Sequence, residues 1–171
     1  MDHWDAIRAR RNVRAYTDRP IPEADLERIL EAGRRAPSAS NRQHWDFVLV
    51  TDRDQLRQLA TVWRGAGHVA RSAATVVLVV PHLESERDTA LDRYDLGQAT
   101  YAMMVAAAGL GVGSGHSSIG DHDATRRFLG IPADRDPAYM LALGYPADRP
   151  LRPTDKLKRR PLADVVHRGR W

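Results

Sequence analysis

Ala74-Thr75-Val76-Val77-Leu78-Val79-Val80-Pro81 carries no charge and is β-branched at five of its eight positions. Apolar residues run through it without alternation, as in a strand covered on both faces and therefore central in a sheet. Shortly after it, residues 92–109 form the longest helical pattern in the chain, rich in Gly97, Ala99, Ala102, Ala106, Ala107 and Ala108. A helix this apolar belongs inside the molecule. Around this strand and helix the other elements fall into place. Residues 45–51 (Trp-Asp-Phe-Val-Leu-Val-Thr) and 139–144 read as further strands, and 4–11, 22–35, 52–63 and 123–129 as helices. Pro22 stands at the start of the second helix, and Glu23 and Asp25 fill its first turn. Residues 12–16 are extended, and 111–120 form a Gly/Ser-rich loop with room for a short strand. Helices alternate with strands, so the class is mixed α and β.

The chain has 171 residues, 43% apolar and 28% charged, the balance of one soluble domain spanning 1–171. No run of eighteen apolar residues indicates a membrane span, and Met1-Asp2-His3-Trp4-Asp5 opens no signal stretch, so a cytoplasmic location is expected. Cysteine is absent, which excludes disulfides and thiolate chemistry. The net charge of +4 suits either nucleic acid or a bound phosphate. The basic stretches lack interleaved aromatics, so no nucleic-acid partner is expected. From 146 onward the chain is polar and basic, with too few apolar residues for a core of its own. Within it Pro161-Leu162-Ala163-Asp164-Val165-Val166 needs a partner surface, and a second subunit is the natural one.

Four segments could carry chemistry. Arg8, Arg10, Arg11 and Arg14, with Asn12 among them, either share an anion through bidentate guanidinium forks or form a solvated basic face. Ala36-Pro37-Ser38-Ala39-Ser40-Asn41-Arg42-Gln43-His44-Trp45 is dense in amides and hydroxyls, which suits the edge of a heterocycle and equally suits a turn. Gly109-Leu110-Gly111-Val112-Gly113-Ser114-Gly115-His116-Ser117-Ser118-Ile119-Gly120 would let a flat ligand approach backbone closely. It lacks the Gly-x-Gly-x-x-Gly spacing of dinucleotide folds and any Walker-type Gly-Lys-Ser/Thr. Lys156-Leu157-Lys158-Arg159-Arg160 is a solvated tail or a second phosphate contact. His116, Asp121, His122 and Asp123 lack paired helical spacing, so no metal is expected. With no nucleophile elbow and no carboxylate pair, an organic cofactor is the expected carrier of any reaction.

In this order the segments resemble the FMN-dependent nitroreductase family. Arg10-Arg11-Asn12-Val13-Arg14 is similar to its Arg-Arg-Ser-Val-Arg motif, and residues 36–45 to its Ala-Pro-Ser-x-x-Asn-x-Gln-Pro-Trp signature. The long helix leaving through Gly109-Leu110-Gly111, then Leu129-Gly130-Ile131-Pro132, Leu143-Gly144-Tyr145-Pro146 and Arg159-Arg160-Pro161-Leu162 continue the likeness. The resemblance implies an α+β fold with a central, mostly antiparallel sheet flanked by helices, completed by the partner's C-terminal tail (146–171). It implies a homodimer with FMN at the subunit interface and NADH or NADPH as donor. Electrons would pass in ping-pong fashion to a small acceptor such as a nitroaromatic or quinone; the alternative is a flavin-storing or sequestering protein. By the same analogy Arg10, Arg11 and Asn12 hold the phosphate and ribityl chain, and Arg14 stabilises charge at the flavin pyrimidine edge. Pro37, Ser38, Ala39 and Asn41 come from the other subunit. Ser117, Ser118 and Ile119 approach the reactive flavin nitrogen, and Lys158 and Arg159 close over the phosphate. Asn12 replaces the family's serine and His44 its proline. The interval 81–91 is also short, which implies a small or open pocket.

Overall fold

In the computed structural model, which describes residues 1–155 and 159–171, four strands form one antiparallel sheet. They are β1 (Asp46–Val50), β2 (Ala74–Pro81), β3 (Gly113–Ser118) and β4 (Arg135–Gly144), in the order β1-β2-β4-β3. The charge-free stretch is indeed a central strand, buried along all but its last residue. Because successive side chains point to opposite faces, β2 serves two cores. Val76, Leu78 and Val80 enter one of them, with Leu141 and Leu143 of β4. Val77 and Val79 enter the other, with Met140 and Ala142. Pairing of β2 with β4 slips by one residue between Leu78 and Val79, opposite Pro137; proline has no N–H to give to a ladder.

The first core is closed by α2 (Glu23–Arg34) and α4 (Glu86–Gly109). Leu26 and Ile29 of α2 meet Leu96, Ala99, Met103 and Ala107 of α4, which recur at helical spacing. The second core lies under α3 (Arg53–Leu59) and α5 (His122–Leu129). α1 (His3–Ala9) packs beside α4. No described helix is long and apolar enough to cross a membrane.

Several boundaries differ from the sequence reading. α4 begins at Glu86, not 92, capped by the Ser85 hydroxyl, which accepts from the Asp88 N–H at 3.3 Å. Its first turn is polar and gave no apolar period, so most of the interval 81–91 is helix. α4 is also not buried all round, since Tyr94 and Tyr101 stay exposed. α3 stops at Leu59, and a separate 3₁₀ turn, Gly67–Arg71, carries His68. The Gly/Ser-rich loop is a six-residue edge strand, β3.

The glycines of β3 answer to the chain itself. A Cβ on Gly115 would sit 2.3 Å from the Val13 carbonyl oxygen, and one on Gly144 would sit 2.7 Å from the Tyr16 ring. Only glycine lets the 12–16 segment lie this close to β3 and β4. That segment is extended as expected: Asn12 bridges Ser114, and the Val13 N–H donates to the Ser114 carbonyl at 2.9 Å. Further along, Thr17 N–H donates to Tyr145 O and Ala147 N–H to Ala15 O, both at 2.9 Å. The start of the C-terminal tail is thereby held on its own subunit.

Candidate functional site

Burial sorts the N-terminal motif. Val13 and Tyr16 are buried, while Asn12 and Arg14 are exposed. Arg11 turns to the tail. It donates to Asp148 Oδ1 and to the Arg149 carbonyl, each at 2.7 Å, and its guanidinium holds the Asp148 carboxyl below the usual range. Arg8 likewise grips both Asp155 oxygens, at 3.0 and 2.8 Å. Two of the four arginines therefore fasten the tail's root, and Arg10 and Arg14 make no ion pair among the described residues.

Arg10 lines a cavity of about 420 Å³ together with His116 of β3, Tyr139 of β4 and Arg93, Gly97 and Tyr101 of α4. Leu78, Leu96 and Met104 give it an apolar lining. This is an aromatic and apolar hollow with cationic groups at its edge, and its size is in the range of small-molecule sites. A larger groove, about 920 Å³, runs between α1, α2 and the end of α4 and contains none of the residues expected at the site.

Arg14 does not line this cavity; its charge acts on Tyr16 and His68. Burial pushes the Tyr16 phenol up, and the charge of Arg14 opposes that shift. The His68 imidazole is pushed down, first by burial and further by the charges of Arg14 and His116, against hydrogen bonds to Gly115 and Gly65. Arg14, His68 and His116 are thus electrostatic neighbours beside β3, and residues 10–14 converge with residues 115–118. Ser118 is exposed there, whereas Ser117 and Ile119 are buried. Asp121 and Asp123 work for α5: the first caps it, accepting from Ala124 N–H at 2.8 Å, and the second pairs with Arg126 at 2.9 Å.

The 36–45 loop stands against the N-terminal half of α4. Pro37 and Asn41 are exposed, Ser38 and Ala39 half-buried. The Ala39 N–H donates to Asp95 Oδ2 at 2.9 Å, Arg42 to Asp92 Oδ1 at 2.8 Å, and His44 Nδ1 lies 3.2 Å from Asp92 Oδ2. Buried Trp45 closes the loop. None of residues 36–45 lines the 420 Å³ cavity. Arg159 is exposed, and Lys158 lies outside the described residues. The sequence reading missed Asp92 and Asp95. A signal existed, since both fall in phase with Leu96 and Ala99 on the buried stripe. His68 carried no such signal.

The nitroreductase family profile matches residues 7–71 and 62–145. A protein of Archaeoglobus fulgidus named for NADH dehydrogenase and NAD(P)H nitroreductase activity is 31% identical over 169 residues, 96% of each chain. The chain belongs to the nitroreductase family. Among its nitroreductase relatives, the oxygen-insensitive NADPH nitroreductase of Salmonella typhimurium is 31% identical over 94% of this chain and 71% of its own. The NADPH:FMN oxidoreductase of Vibrio harveyi, solved with NAD+, superposes with a TM-score of 0.82 at 25% identity, covering 97% of this chain and 76% of that one. The nitroreductase fold expected from the motifs is the fold observed.

Proposed function

We propose that this nitroreductase is a flavin oxidoreductase that binds FMN and passes reducing equivalents from NADH or NADPH to a small organic acceptor such as a nitroaromatic or a quinone. One observation carries the reading: Arg10, a cation without an ion-pair partner among the described residues, lines with His116, Tyr101 and Tyr139 a hollow of about 420 Å³, and Arg14, likewise unpaired, lies beside His68 next to β3. A planar ring system bearing a phosphate matches both halves of that surface. Relatives named NADPH-flavin oxidoreductase and FMN reductase point the same way.

FMN, when bound, supplies the hydride chemistry that no side chain here offers. Arg10 and Asn12 would hold its phosphate and ribityl chain. Arg11 would join them only by releasing Asp148. Arg14 would set a fixed positive charge toward the pyrimidine edge of the ring system. The backbone of 117–119 would lie along the ring, with Pro37, Ser38, Ala39 and Asn41 supplied by a second subunit. Lys158 and Arg159 would close on the phosphate. Donor and acceptor would occupy the same face in turn.

The test is the visible spectrum of the purified protein after incubation with FMN. Retained yellow colour, bleached anaerobically by NADH or NADPH and restored by nitrofurazone or a quinone, is the expected result. Protein that stays colourless refutes flavin binding. Retained flavin that neither nicotinamide reduces means a storage role instead.

A further inference from the structure

Three residues with a Cβ hold left-handed backbone in the 36–45 loop: Ser40 (φ 51°), Asn41 (φ 53°) and Gln43 (φ 54°). No other described non-glycine residue has positive φ. Such conformations are strained, and they persist only where the surroundings over-determine them.

The surroundings here are two carboxylates of α4. Asp95 takes the Ala39 N–H, just before Ser40. The Asp92 side chain is 1% exposed and takes Arg42 on one oxygen and His44 on the other. Carboxylate oxygens only accept, so His44 donates from Nδ1. Arg42 sits between the strained Asn41 and Gln43, and His44 follows directly. Each left-handed residue is therefore flanked by an anchored one. A buried carboxylate stripped of its partners is costly, which keeps both side chains in place. His44 is also where this chain departs from the family's signature. A proline there would favour extended backbone at the residue before it, whereas Gln43 is left-handed in this chain, and His44 is held by Asp92 instead.

We infer that Asp92 is a positioning residue: by gripping Arg42 and His44 together it sets the backbone shape in which Ser38, Ala39 and Asn41 meet the flavin. The inference rests on the FMN reading above. It makes His44 a brace for the loop.

The test uses the full-length protein and the variants H44A, H44N and D92N. An amide at 92 is uncharged and offers one acceptor oxygen where the carboxylate offers two, while an asparagine at 44 keeps an N–H to donate to Asp92. Amide hydrogen exchange across 38–45 is followed without flavin, and FMN affinity by quenching of flavin fluorescence. H44A and D92N are expected to speed exchange and to raise the FMN Kd about tenfold, whereas H44N keeps Kd to within about threefold of wild type. Should D92N fail to fold, H44A and H44N decide the matter. Wild-type exchange and affinity in H44A overturn the brace while leaving the flavin reading intact. Faster exchange at unchanged Kd overturns the positioning role, as does an H44N variant as weak as H44A. A wild type that takes up no FMN overturns both.

Discussion

His68 sits half-buried with Nε2 3.3 Å from the Gly115 carbonyl oxygen. Burial and the nearby Arg14 hold its pKa below 6.5 in the folded chain. The unfolded chain, with an ordinary imidazole, therefore takes up the proton first as the pH falls. Stability from this site is fully present above about 6.5 and is lost on acidification toward the folded-state value. Melting curves at pH 7, 6 and 5 should show Tm falling, with a shallower fall in H68Q. Parallel slopes in the two proteins would mean that His68 does not contribute. At this scale the sequence displayed four arginines as a group, and burial divided them. Arg8 and Arg11 bind tail carboxylates far along the chain, a pairing that no local pattern announces.

Elements were legible where one period ran unbroken. β2 and the apolar part of α4 were plain, because their residues answer to the core on every turn or every step. The polar first turns of α4 were not, because a cap and acidic residues, rather than burial, start that helix. The 111–120 stretch was read as a loop with room for a short strand, since glycine and serine favour turns. It is a strand because β4 supplies a ladder and the 12–16 segment needs the missing Cβ atoms. Met103 is fully buried where α4 faces α2 and the sheet. Met103→Ala should cost about 3 kcal/mol through lost transfer energy and the cavity left behind. Urea unfolding checks this, and a loss under about 1 kcal/mol would mean that the contact between α2 and α4 can collapse to fill the space.

For the whole molecule, two uncovered surfaces bear on assembly. The outward side of α4 leaves Tyr94 and Tyr101 exposed at 68% and 45%. The tail exposes Leu162, Val165, Val166 and Trp171, while its root is tied to Arg8 and Arg11 of the same chain. Apolar groups left outside one subunit fit a second copy that covers them. Removal of residues 156–171 should therefore shift sedimentation from dimer to monomer and lower FMN affinity, leaving the helical circular dichroism unchanged. A truncated chain that still sediments as a dimer would assign assembly to α4 alone.

Alone, the amino-acid order determined the central strand, the buried helix, the extended arginine segment and the family likeness of its motifs. Those features depend on side-chain periodicity and on neighbours a few residues apart. Tertiary structure decided which arginines remain available to an anion, why the glycines of β3 are needed, and that Asp92 braces a loop some fifty residues earlier in the chain. These depend on contacts between distant segments, and burial makes such contacts decisive by removing the water that would otherwise satisfy each group separately.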